Sequence, residues 1–326
     1  MRRLSDITKL LSLSILFCMV SCQDKMGVDE TLPTGLLKDQ SFLSNGLERE
    51  YHLYVPSDYI DRPLVILLHG NRSSHDDIIG ERSITSPHKV WLALAEENKF
   101  IVLIPNGTLG STNNRGWNDC RTDSEGNPDV DDVGFIEELL SSIKEDYAYN
   151  SDKVYVAGTS NGGHMAYRLA VEIPDKIAAF GAIASSIAAN SACIETTTPV
   201  SALFMNGTDD GILPYNGGEM SSSRGTVLST QESIDYWVER NQTSKTPSVT
   251  AIMDLDLEDG STALKHLYSN GDENTEVALY EIVGGGHTEP SILERFRAGF
   301  LLLVGNQNGD LEMAEEVWAF FQDKSR

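Results

Sequence analysis

Residues 153–170 read KVYVAGTSNGGHMAYRLA, an apolar run that stops at glycine, threonine and serine and then restarts with a helical period. Lys153 to Ala157 has the apolar continuity of a strand covered on both faces, and from Gly162 onward Met165, Leu169 and Ala170 recur at helix spacing. The pentapeptide between them, Gly158-Thr159-Ser160-Asn161-Gly162, is G-x-S-x-G. In that strand-to-helix setting the turn is tight enough to strain the serine backbone and raise its hydroxyl above the sheet, with glycines keeping other side chains clear. The pattern alone is a modest signal; in this setting it predicts a nucleophile.

The alternation continues outward from this turn. Arg49 to Val55 alternates as a half-buried strand, and Pro63 to Leu68 and Phe100 to Ile104 are apolar runs of the buried kind. Ser86-Pro87 opens a helix through Trp91, Leu92 and Ala95. Asp131 or Asp132 caps another, whose Ile136, Leu139, Leu140, Ile143 and Tyr147 share one face. Further strands are expected at 177–184, 200–205 and 277–283, and Ser229 with Glu232 forms a capping box at a helix start. Val249 to Met253 and Leu264 to Ser269 read as a hairpin, and Leu311 to Phe321 as a closing helix. The implied fold class is α/β, a mostly parallel sheet with helices on both faces, forming one domain over residues 46–326.

A serine hydroxyl needs a base to take its proton and a carboxylate to orient that base. His287 follows three glycines, Gly284-Gly285-Gly286, just after the strand at 277–283, and Asp210 follows the strand at 200–205. Both loops therefore lie at the carboxyl edge of the sheet, as Ser160 does. A tetrahedral intermediate also needs two donors on its oxyanion. The backbone N–H groups of Asn161 and of Asn71, in the His69-Gly70-Asn71 turn, are expected to supply them, so the side chains at 71 and 161 should matter less than the backbone. His52, His88 and His266 read as surface or packing residues, His164 as structural, and His69 as support for the oxyanion turn. Neither acidic stretch, Asp123 to Asp132 or Asp254 to Asp259, has the glycine and glutamate of an EF-hand loop, so no metal and no cofactor is expected.

At the start of the chain Arg2, Arg3 and Lys9 precede an apolar run from Leu10 to Val20 that is too short to span a bilayer. Met19-Val20-Ser21-Cys22 resembles a bacterial lipobox. The expectation is export, with residues 1–22 a signal peptide ending at a lipidated Cys22 and 23–45 a polar tether, the chain ending lipid-anchored, periplasmic or secreted. A net charge of -24 repels nucleic acid and anionic membrane, which leaves the lipid anchor as the membrane contact. Beyond the leader only Cys120 and Cys193 remain. In an oxidising compartment they either pair or stay as two buried thiols.

With these residues in place, the chain resembles the secreted polyhydroxybutyrate depolymerases and the feruloyl and acetylxylan esterases related to carbohydrate esterase family one, on the α/β-hydrolase fold. The likeness rests on Tyr54-Val55-Pro56, His69-Gly70, Gly116-Trp117-Asn118, Asp131 to Phe135, Ser160 to Gly163, Gly207 to Asp210, Pro214-Tyr215, Gly284 to Thr288 and Val317-Trp318. The resemblance implies catalytic roles for Ser160, Asp210 and His287, with Asp210 favoured over its neighbour Asp209, which falls where the family carries a small residue. It implies substrate contacts at Trp117, Asn118 and Tyr215. Two departures stand out: the family's cysteines near Gln242 and Ser269 are absent, and Glu289 replaces the tryptophan that often follows His-Thr. The expected activity is hydrolysis of carboxylic esters, of feruloyl or acetyl groups on plant polysaccharide or of hydroxyalkanoates. The competing readings are a serine peptidase of the same fold and a catalytically silent surface lipoprotein that binds polysaccharide.

Overall fold

Five strands consist entirely of buried residues, which only a sheet covered on both faces allows, and these form the centre of the molecule. The computed structural model describes residues 32–82 and 86–326. In chain order the strands are β1 (Gly35–Ser44), β2 (Leu47–Val55), β3 (Leu64–Leu68), β4 (Ile101–Pro105), β5 (Val154–Thr159), β6 (Ala179–Ile183), β7 (Ser201–Gly207), β8 (Ser248–Ala251), β9 (Thr262–Tyr268) and β10 (Val277–Val283). They form one sheet in the order β1-β2-β4-β3-β5-β6-β7-β10-β9-β8. The six central strands from β4 to β10 run parallel, and antiparallel pairs close both edges.

The helices are α1 (Val90–Asn98), α2 (Asp132–Tyr147), α3 (Asn161–Glu172), α4 (Thr230–Arg240), α5 (Ala298–Val304) and α6 (Met313–Phe321). Their starts follow local chemistry. The Asp131 carboxylate accepts the Gly134 N–H at the head of α2, and Ser229 with Glu232 closes a reciprocal capping box on α4. The helix expected from Ser86-Pro87 opens as a 3₁₀ turn, Pro87–Lys89, before α1 proper. Large aromatics lock α6 to the sheet: Trp318 stacks on Phe100, just before β4, with centroids 4.1 Å apart, and Phe321 on Tyr155 of β5 at 5.1 Å.

One boundary needs correction. Residues 35–44, expected within a polar tether, are strand β1, paired antiparallel with β2 at the sheet edge. The segment GLLKDQSFLS looks polar because an edge strand buries little and because a register shift between Leu37 and Gln40 breaks its alternation. The leader, the lipobox at Cys22 and the tether through residue 31 lie outside the described residues.

Cys120 and Cys193 form a disulfide with Cα atoms 5.2 Å apart and a sequence separation of 73. Closing so long a loop restricts the unfolded chain, so the Cys120→Ser, Cys193→Ser double variant should lose roughly 2–4 kcal/mol in urea unfolding. An unchanged midpoint and slope would show that the bridge does not constrain the unfolded chain.

Candidate active site

The turn after β5 is built by close approach. A Cβ added to Gly158 would sit 2.3 Å from the Gly162 carbonyl oxygen, and one added to Gly162 would sit 2.2 Å from that of Leu68. Only glycine lets α3 start this near β3 and β5. Between the two glycines Ser160 adopts φ 55° and ψ -118°, a conformation that costs a non-glycine residue on the order of 1–3 kcal/mol. Its N–H is tied to the Ile183 carbonyl at 2.8 Å, and its side chain stays accessible. Surrounding contacts therefore hold the strain in place.

The loops after β7 and β10 meet one another at the same edge. His287 Nδ1 lies 2.6 Å from Asp210 Oδ2, while Asp210 Oδ1 accepts the backbone N–H groups of Ile212 and Leu213, each at 2.8 Å. With its Nδ1 proton donated to Asp210, the imidazole leaves Nε2 as the free base. Asp209 is exposed, its N–H bonded to the Gly285 carbonyl and its carboxylate accepting from Thr208 at 3.2 Å, away from the imidazole. The Gly284-Gly285-Gly286 run permits this packing: a Cβ on Gly286 would meet the Val304 carbonyl oxygen at 2.2 Å. Among the described residues no hydrogen bond joins Ser160 Oγ to His287, a contact that such sites commonly close only around substrate.

Gly70 packs against the same turn, where an added Cβ would be 3.4 Å from the Thr159 carbonyl oxygen. This brings Asn71 beside Ser160 on the wall of a cavity of about 260 Å³, which also includes Asn161. The Asn161 N–H is at the first residue of α3, where no intrahelical acceptor exists. Another cavity, of about 250 Å³ and lined by Ile177, Ser201 and Arg326, opens at the opposite edge of the sheet and contains none of these groups.

Residues 49–203 match the family described as "Esterase PHB depolymerase". The chain is 25% identical over 295 residues to the protein NocK of Nocardia uniformis subsp. tsuyamanensis, named as an esterase, covering 84% of this chain and 79% of NocK. It is 27% identical over 188 residues to feruloyl esterase C of Emericella nidulans, covering 55% of this chain and 63% of that protein. The acetyl xylan esterase from Aspergillus awamori superposes with a TM-score of 0.53 over 88% of this chain and 99% of that one, at 15% identity. The chain has the α/β-hydrolase fold, and over residues 49–203 it is similar to the PHB depolymerase esterases.

Three side chains of this hydrolase expected at the substrate lie elsewhere. Trp117 is fully buried, donates its indole N–H to the His69 carbonyl at 2.9 Å and packs on the His69 ring beneath the cavity. Asn118 donates its backbone N–H to the Asp132 carboxylate at 2.7 Å and its side-chain amide to the Val130 carbonyl at 2.9 Å, and Tyr215 sits against Glu281, where burial and then that carboxylate raise its phenol pKa. None of the three lines the cavity beside Ser160. The Asn161 side chain also departs from expectation. It is buried, accepting from Trp117 N at 2.8 Å and donating to Trp117 O at 3.1 Å and to Asp119 Oδ2 at 2.6 Å. It is a structural element in its own right, since removing it leaves a buried carboxylate and an amide short of partners.

Asp119 escaped the sequence reading, and so did the partners of Glu289. Asp119 is fully buried, and although burial raises its pKa, Arg121 beside it, with His164 and Asn161, holds the carboxyl below its usual range. Glu289, the departure noted above, lies with His88 beside the Ser160 turn. Its buried carboxyl is held low by hydrogen bonds from His88 and Thr159 against the burial penalty, and His88 Nε2 contacts Thr159 Oγ1 at 3.0 Å. The loop that carries His287 is thus tied to the residue preceding Ser160.

Asp39, His52, His75 and Asp76 bring potential ligand atoms within 4.8 Å of one another. The two imidazoles, however, stack at 3.8 Å with planes 6° apart, so their lone pairs run parallel instead of converging on one ion. His69 and His164 are buried, and burial chiefly lowers their pKa values to about 4 and about 3. The unfolded chain protonates its histidines near the ordinary value of about 6.5, while the folded chain refuses those protons. Stability should thus be full above that pH and fall as pH drops below it, by roughly 2 kcal/mol per histidine at pH 5. Urea midpoints at pH 7.5 and pH 5 test this, and equal midpoints would contradict it.

Proposed function

We propose that this hydrolase is an exported serine esterase. Ser160 attacks the ester carbonyl while His287 Nε2 removes its proton, and Asp210 holds the imidazole in the tautomer that leaves Nε2 free. The N–H groups of Asn71 and Asn161 receive the oxyanion, His287 returns the proton to the departing alcohol, and water admitted to the same geometry releases the acid. No step calls on a cofactor. The observation that carries this reading is the 2.6 Å contact between Asp210 and His287 at the sheet edge where Ser160 occupies its strained turn.

The substrate class follows the relatives: feruloyl or acetyl esters of plant polysaccharide ahead of hydroxyalkanoate esters. Because the matched region spans 63% of the Emericella nidulans feruloyl esterase, activity and substrate are both carried over by proposal. Export by a leader with lipidation at Cys22 belongs to the same reading. A panel of aryl acetate, methyl ferulate and hydroxybutyrate esters tests it. Hydrolysis of at least one class is expected, and inactivity on all of them would leave the silent, polysaccharide-binding reading.

A further inference from the structure

The wall of the cavity beside Ser160 is strongly polar. Its lining includes Arg72, Arg121 and Arg224 together with polar Asn71, Asn114 and Asn127. In a chain of net charge -24, three guanidinium groups around one cavity call for an explanation. Arg121 has one: it is buried and doubly bonded to Asp119, with its other nitrogen donating to the Arg224 carbonyl at 2.6 Å. Its charge is spent on structure.

Arg72 and Arg224 differ. Neither has a carboxylate in ion-pair contact among the described residues, and Arg224 is half-buried. Burial first, then the like charges of Arg72 and Arg121, lower the Arg224 pKa. Glu125 also lines the cavity, without an ion-pair contact to either arginine among the described residues. Two guanidinium groups on one cavity wall repel, and a bound anion relieves that repulsion.

Both are fixed by the elements that would handle the ester. Arg72 follows Asn71 directly, in a positive-φ conformation pinned by its own N–H on the Arg115 carbonyl at 2.8 Å. Arg224 is reached from Asn161 through an unbroken chain: Asn161 Nδ2 donates to Asp119 Oδ2, Asp119 accepts Arg121, and Arg121 holds the Arg224 backbone. The backbone of each arginine is therefore registered to one of the two residues, Asn71 and Asn161, that flank Ser160.

We propose that Arg72 and Arg224 form an anion subsite, and that the preferred ester carries a carboxylate next to the scissile bond. The inference rests on the serine esterase reading above. That carboxylate can belong to the acyl part, as in a half-ester of a dicarboxylic acid, or to the alcohol part, as in an acyl ester on an acidic sugar or hydroxy acid. A carboxylate offers the planar pair of oxygens that two guanidinium groups grip better than one point charge would.

The test compares kcat/KM for isosteric pairs. Monoethyl adipate against its carboxamide reads the acyl side, and 4-acetoxybenzoate against 4-acetoxybenzamide reads the alcohol side. In one pair the carboxylate should be preferred by about tenfold or more at low salt, with the preference shrinking as ionic strength rises. The Arg72→Gln, Arg224→Gln double variant should bring that ratio towards one, and Arg224→Lys should restore part of it. The salt dependence of the wild-type ratio reads the same effect without any variant. Ratios at or below one in both pairs, with the carboxamides still hydrolysed, overturn the anion subsite alone. If the wild type hydrolyses none of the four esters and no aryl acetate, the esterase reading has failed instead.

Discussion

Replacing Ser160 by alanine should lower turnover of an aryl acetate by on the order of 10⁶-fold, the scale seen when the nucleophile of a serine hydrolase is deleted, without unfolding the protein. The two halves of this expectation have separate causes. The hydroxyl is the only group in the turn placed to form an acyl-enzyme, so nothing substitutes for it. Its contribution to packing is small, because the side chain is accessible and the backbone is held by Ile183 and by close contacts at Gly158 and Gly162. At φ 55° the backbone strain remains in the alanine variant, whereas Ser160→Gly should relieve it and stabilise the fold by about 1 kcal/mol. Loss of activity with a raised melting temperature in the glycine variant is the signature of a strained nucleophile. An alanine variant that keeps near-normal turnover would remove Ser160 from the mechanism.

Asp210→Asn should cost on the order of 10⁴ in turnover, whereas Asp209→Asn should be mild. Asp210 gives one oxygen to two backbone N–H groups and aims the other at His287 Nδ1. An asparagine there can present its amide N–H to the ring, which favours the tautomer with the proton on Nε2 and leaves no base for Ser160. Asp209 touches Thr208 and solvent, so its neutralisation changes little at the imidazole. The opposite ranking of the two variants would make Asp209 the orienting carboxylate.

The strands that carry the site were legible because they are buried on both faces and so read as unbroken apolar runs, as in Val154–Thr159 and Ser201–Gly207. The loops were legible because close backbone approach demands glycine, as at Gly158, Gly162 and Gly286. What escaped was of two kinds. Strand β1 and helix α5 bury too little to leave a period: β1 lies on an edge, and α5, AGFLLLV, is apolar throughout with no residue buried. The second kind is pairing across the chain. Nothing near Asn161 announces a bond to Asp119, 42 residues away, and nothing near Trp117 says that its indole serves the His69 carbonyl and not a substrate. Glu289 left a trace as an unexpected residue beside the base, but its partners His88 and Thr159 belong to other elements. The arginine pair beside Ser160 is of the same kind, since a sequence shows a charge and not the distance to its neighbours.

The most direct measurement is covalent labelling by a fluorophosphonate, with the modified peptide located by mass spectrometry. Attack on phosphorus needs the same nucleophile and base as attack on an ester, and the adduct stays in place. The expected result is one adduct, on Ser160, formed rapidly by the wild type, slowed by orders of magnitude in His287→Ala and absent in Ser160→Ala. No adduct on the folded wild type, or labelling at Ser160 that proceeds equally fast without His287, would contradict the account.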